Sequence, residues 1–130
     1  MKFAIVVQGS PYASASSWSA LHFAAAVLES GHELYRVFFY HDGVYAANAL
    51  MAPPQDELDL QSRWTDLARQ HQVELMVCIA SSLRRGVMNR VEADRYDKPA
   101  NNLADGFEIS GLGQLIDAGL NADRVVTFGA

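Results

Sequence analysis

Apolar residues in this chain fall into short unbroken runs, separated by longer stretches in which they recur every third or fourth position. Phe3 to Val7 is continuously apolar, as expected of a strand covered on both faces, and Gly9-Ser10-Pro11 ends it. From Ser14 to Glu29, residues Trp18, Leu21, Ala25 and Leu28 lie at helical spacing. Ser14 or Ser16 is placed to cap the start, and Gly31 to end the helix in a left-handed conformation. Leu34 to Tyr40 is β-branched and aromatic and predicts a second strand. Asp42-Gly43 predicts a turn, Val44 to Leu50 a short helix, and Pro53-Pro54 a break. Asp56 and Asp59 then stand before Leu60, Trp64, Leu67 and His71, an amphipathic helix with an acidic start. Val73 to Ala80 is a third strand, Phe107 to Ile109 a short fourth, and Arg124 to Phe128 a last buried one. Ser110 is expected to cap a helix over Leu112 to Leu120. Residues 84–105 are the most polar and least regular, with one short helix near Val91 to Arg95.

This alternation predicts an α/β fold: a single three-layer α/β/α domain over residues 1–130. Its sheet is mainly parallel, of about five strands, with helices on both faces. In such sheets the working crevice lies beyond the carboxyl ends of the strands. Here those ends supply Gln8-Gly9-Ser10, Tyr40-His41-Asp42, Cys78 to Ser82, and Ile109-Ser110.

Composition narrows the chemistry. Half of the 130 residues are hydrophobic and 19% are charged, which suits one well-filled core and excludes a disordered chain. The net charge is −5, with eight arginines and only Lys2 and Lys98 as lysines. A phosphate grip on nucleic acid needs a basic face, and apart from Arg84-Arg85 none is present. The N-terminal run lacks the h-region of a signal peptide and no stretch is long enough to span a membrane, so the cytoplasm is the expected location. His22, His32, His41 and His71 have no metal-ligand spacing, and Gly9-Ser10-Pro11 is neither a dinucleotide fingerprint nor a P-loop. Ser110-Gly111-Leu112-Gly113 reads as a capped turn. No metal, nucleotide or other cofactor is expected.

Cys78 is the only cysteine, which excludes an internal disulfide and an internal CxxC couple. It ends the run Leu75-Met76-Val77-Cys78-Ile79-Ala80 and precedes Ser81-Ser82-Leu83-Arg84-Arg85. A polar turn with two cations can hold a thiol at a sheet edge and favour the thiolate, the reactive form. The same run equally fits a cysteine packed as a small hydrophobe. His41, Ser81, Arg84 and Arg85 are the candidate supporting residues. His41 would act by proton transfer or charge, and the arginines by folding back over an anionic sulfur. A satisfied turn histidine and a solvated arginine pair are the structural alternatives.

Four segments in order, FFYHDGV (Phe38 to Val44), VCIASSLRRGV (Val77 to Val87), ISGLGQLIDA (Ile109 to Ala118) and DRVVTFG (Asp123 to Gly129), resemble the TusD/DsrE family of sulfur-relay proteins. The resemblance implies a sulfurtransferase that carries a persulfide on Cys78. It implies TusB-like and TusC-like partner subunits in a heterohexamer with two copies of each subunit, a TusA-like sulfur donor and a TusE-like acceptor. The pathway implied is 2-thiolation of the tRNA wobble uridine. A DsrE-type carrier in sulfur oxidation and a non-catalytic structural subunit are the alternatives. A lone cysteine suits a relay, because a second thiol nearby would expel the outer sulfur and close a disulfide.

Overall fold

Five strands pair in the order β4-β3-β2-β1-β5, and every pairing is parallel. They are β1 (Lys2–Val7), β2 (Glu33–Phe39), β3 (Glu74–Cys78), β4 (Phe107–Ser110) and β5 (Arg124–Phe128) in a computed structural model that describes residues Met1–Ala130. The helices are α1 (Ser16–Glu29), α2 (Leu60–His71), α3 (Ile79–Arg84), α4 (Arg90–Arg95) and α5 (Gly113–Asn121), with a 3-10 helix over His41–Ala47. The placement of the helices follows from handedness. Stepping from β1 through β4 moves one way across the sheet, so right-handed crossovers place α1 and α2 on one face. The return from β4 to β5 runs the other way and places α5 on the opposite face.

The main core lies between the sheet and the α1/α2 layer. Trp64 is fully buried there, edge-on to Phe39 at 5.3 Å, and its indole N–H donates to Ser17 Oγ at 3.2 Å. That bond links α2 to α1 and satisfies the one polar atom of the ring. On the other face the core is thinner: Phe38, Met76 and Cys78 pack together under Leu115 and Tyr40.

Several local expectations are corrected. The buried face of α1 is Ser17, Ala20, Leu21, Ala24 and Val27, while Trp18 is 45% exposed. The face is turned because small Ala20 and Ala24 let the helix lie close to the strands. The cap position is Ala15, and Ser14 Oγ instead accepts the Ser16 N–H at 3.1 Å. β3 stops at Cys78, with Ile79 and Ala80 already helical. Ser110 is the last residue of β4, and α5 is entered from Leu112 without a side-chain cap. β5 is an exposed edge strand, with Val125 44% exposed. The turn at Asp42-Gly43 is absorbed into the 3-10 helix, where a Cβ on Gly43 would lie 2.1 Å from the Val7 carbonyl oxygen. Gly31 takes the expected left-handed conformation at φ +81°.

One polar network fixes α5 to the sheet. The register of β1 against β2 skips Tyr35, a bulge that turns Tyr35 and Arg36 toward the same side. Arg36 is 5% exposed, and its Nε donates to Glu74 Oε2 at 2.8 Å. One terminal nitrogen donates to the Gln114 carbonyl and to Asp117 Oδ2, each at 2.8 Å. The Tyr35 hydroxyl donates to the same Asp117 oxygen at 2.7 Å. The Tyr35 bond, followed by that of Arg36, holds the Asp117 carboxyl below the usual carboxylate range. A carboxyl lowered in the folded state stabilises above its unfolded pKa of about 3.9, and that contribution is lost as pH falls through the folded value. Asp117→Asn is therefore expected to destabilise the protein at neutral pH. In urea unfolding the gap from the native sequence should narrow steadily below about pH 4. A gap independent of pH would remove Asp117 from the acid response.

Candidate functional site

Neighbouring strands β3 and β4 send the chain to opposite faces. After β3 the chain stays on the α1/α2 side, where Val87 and Ala104 join the main core. After β4 it crosses to α5. Their carboxyl ends therefore form a topological switch point, the usual place for chemistry in an open parallel sheet. The residues there are Cys78 and Ser110, which are register partners. Paired positions of a sheet share a face, so both side chains lie on the α5 side.

Cys78 has extended backbone (φ −60°, ψ 123°) and is the N-cap of α3, so strand passes into helix without a loop. The first amides of such a helix have no intrahelical acceptor. The cysteine is 2% exposed, enclosed by Phe38, Met76, Tyr40 and Leu115. The thiol thus ends its strand as the sequence predicts, but packed as a small hydrophobe. β4 pairs outside β3, and Tyr40 and Leu115 pack against the cluster that holds the sulfur.

The candidate supporting residues gather beside this point, in roles other than those expected. Ser81 is buried, and its Oγ accepts the His41 backbone N–H at 3.1 Å. Arg85 donates to Asp42 Oδ1 at 2.8 Å and to the Ser81 carbonyl at 3.2 Å. Together these bonds bracket the 3-10 helix to α3 and position the strand end. The charge of Arg85 is matched by Asp42, and Arg84 is exposed. The arginine pair therefore braces and flanks the site. The His41 ring is also exposed, stacked on Tyr40 at 4.1 Å and 6°, with its own backbone at φ +49°. It is one ring removed from the cysteine cluster, through Tyr40.

Leu115 escapes the sequence reading, which places it only in the helix after β4. Tyr40 and Ser110 are reached by the strand-end rule, but without a role at the cysteine. A groove of about 830 Å³ lies elsewhere, between α1 and α2, and is lined by Trp18, His22, Leu58, Arg63 and His71 among others. No group of three or more His, Cys, Asp or Glu side chains is placed to hold a metal ion. No helix is long and apolar enough to cross a membrane.

If Tyr40 is the cover, iodoacetamide should alkylate Cys78 slowly in the native protein. Tyr40→Ala should speed alkylation on the order of tenfold, the rate equivalent of about 1.4 kcal/mol, while thermal melting stays cooperative. Equal rates would place the barrier at Leu115 or α3.

Comparison with known proteins agrees with this architecture. The model of the DsrE/DsrF-like family matches residues 1–128. DsrE of Allochromatium vinosum is 49% identical over 129 residues, covering 99% of both chains. The sulfurtransferase TusD of Salmonella arizonae is 51% identical over 128 residues, covering 98% of this chain and all of the relative. The crystal structure of the ychN protein from E. coli superposes with a TM-score of 0.80 at 29% identity, covering 98% of this chain and 99% of the other. A full-length family match, relatives half identical from end to end and a shared five-strand parallel sheet place the chain in the DsrE/DsrF-like family.

Proposed function

We propose that this protein is a sulfurtransferase subunit of a sulfur relay, carrying sulfur as a persulfide on Cys78. The observation that carries the reading is positional. The only cysteine of a chain half identical to sulfurtransferase TusD ends β3 at the switch point of the sheet. The reaction needs one thiolate. Cys78 S⁻ attacks the outer sulfur of a donor persulfide R–S–SH, and the donor's S–S bond breaks as R–S⁻ leaves. Cys78–S–SH remains, and an acceptor thiolate repeats the attack on its outer sulfur. Each exchange breaks one S–S bond and forms another, with no net oxidation, metal or nucleotide.

In this reading the donor is TusA-like, the acceptor TusE-like, and the sulfur ends in the 2-thio group of the tRNA wobble uridine in the cytoplasm. The acidic net charge fits a protein that meets other proteins and leaves the tRNA to a later component. TusB-like and TusC-like subunits, two copies of each with two of this chain, would complete a heterohexamer. The exposed Leu112, Ile116 and Leu120 at successive turns of α5, beside Val125, fit such subunit contacts. Because Cys78 is covered, each exchange requires Tyr40 or Leu115 to swing aside, which a docked partner would favour.

Two observations favour other readings. The 49% identity to DsrE supports a carrier in sulfur oxidation nearly as well as the TusD match supports tRNA thiolation. The 2% exposure of Cys78 favours a structural subunit. Incubation with a persulfidated donor followed by intact-mass measurement separates carrier from scaffold. The native chain is expected to gain one reducible sulfur atom and Cys78→Ser none; equal uptake by both ends the carrier reading. Deletion of the gene should lower 2-thiouridine in total tRNA. Unchanged tRNA with impaired growth on reduced sulfur compounds would assign the chain to oxidation.

A further inference from the structure

Ser110 Oγ, beside Cys78, is sealed from water with no hydrogen-bond partner. Buried hydroxyls are almost always paired, because an unmet one costs stability. The fold does not explain this one, since Ser110 does not cap α5. Ser110 is also the register partner of Cys78, one strand spacing of about 4.8 Å away on the same face. Its Oγ makes no hydrogen bond to the cysteine sulfur.

Loading changes what stands in that space. A persulfide lengthens the side chain by one S–S bond of about 2.05 Å and adds a second sulfur that can accept a hydrogen bond. Of the enclosing side chains, Phe38, Met76 and Leu115 carry no donor, and Tyr40 carries one, its hydroxyl. We propose that Ser110 is a positioning residue whose hydroxyl is held in reserve for the outer sulfur of the Cys78 persulfide. The inference rests on the carrier reading above and deepens it. The bond forms only in the loaded state, so it shifts the exchange toward Cys78–S–SH and aims the outer sulfur. A hydrogen bond to an anionic sulfur is charge-assisted and stronger than a neutral one. The exchange itself is unchanged: the hydroxyl proton stays on Oγ throughout.

The test uses glutathione persulfide and glutathione at a fixed ratio, with the loaded fraction read by intact mass. Ser110→Ala is expected to lower the loaded-to-unloaded ratio about tenfold, the loss of one such hydrogen bond, and Ser110→Thr to restore it. In the unloaded protein Ser110→Ala should melt at or above the native temperature, because it removes an unmet polar group. Native-like loading of Ser110→Ala overturns the proposal. So does a Ser110→Ala protein that melts lower or fails to fold, since the hydroxyl would then be structural. If the native chain itself does not load while its reduced thiol titrates after denaturation, the carrier reading fails and takes this inference with it.

Discussion

The pairing of β3 with β4 is the constraint on which the site depends. Four parallel register pairs bring Cys78 level with Ser110, and the chain then leaves the two strands toward opposite faces. A parallel sheet permits this only where the crossover direction reverses, so the reversal falls between these two strand ends. Placing the cysteine one residue earlier would turn it into the α1/α2 core, among Leu75 and Val77. One residue later it would sit in α3, off the sheet.

What covers the sulfur is held by a separate set of bonds. Leu115 belongs to α5, and α5 is fastened by Arg36 through the Gln114 carbonyl and Asp117. Tyr40 leads into the 3-10 helix, which is fastened to α3 through Ser81, Arg85 and Asp42. The charged residues near the cysteine thus act through geometry. Arg36 is nearly buried, yet carboxylates and a carbonyl oppose its cation, the condition under which a buried charge persists. The clamp and the bracket meet only at the cluster of Phe38, Met76 and Cys78, so disturbing either one alters the cover over the same sulfur atom.

The strands were legible because unbroken apolar runs such as Phe3 to Val7 have little choice but a buried sheet. Their ends located Cys78 and His41 at the functional edge. The face of α1 was misread because hydrophobicity ranks Trp18 and Leu28 above Ala20 and Ala24. Close packing against a sheet ranks them the other way. Ser110 matched a helix-cap pattern, but β4 ran one residue further and absorbed it. β5 reads as a buried strand through Val125, Val126 and Phe128, yet it lies at the edge, and edge position is a property of topology that a local pattern does not encode. The burial of Cys78 depends on Leu115, thirty-seven positions away in sequence, a contact set by the return crossover.

Burial and reactivity are compatible requirements for a sulfur carrier. A persulfide left in solvent loses its outer sulfur to any passing thiol, at a rate set by access as much as by nucleophilicity. A chain that hands sulfur to one chosen acceptor therefore gains from apolar walls that slow the approach of small thiols and water between partners. The same walls disfavour an anionic sulfur unless a donor stands ready inside. Phe38, Met76 and Leu115 supply the walls, while the free hydroxyl of Ser110 supplies a donor with no competing acceptor. In the proposed relay, Tyr40 is then the side chain that decides when the two environments exchange. It is half-buried against the cysteine cluster and backed on its outer side only by the exposed ring of His41. A docking partner that displaces His41 would take away the outer support of Tyr40, coupling access to the sulfur with recognition of the protein that is to receive it.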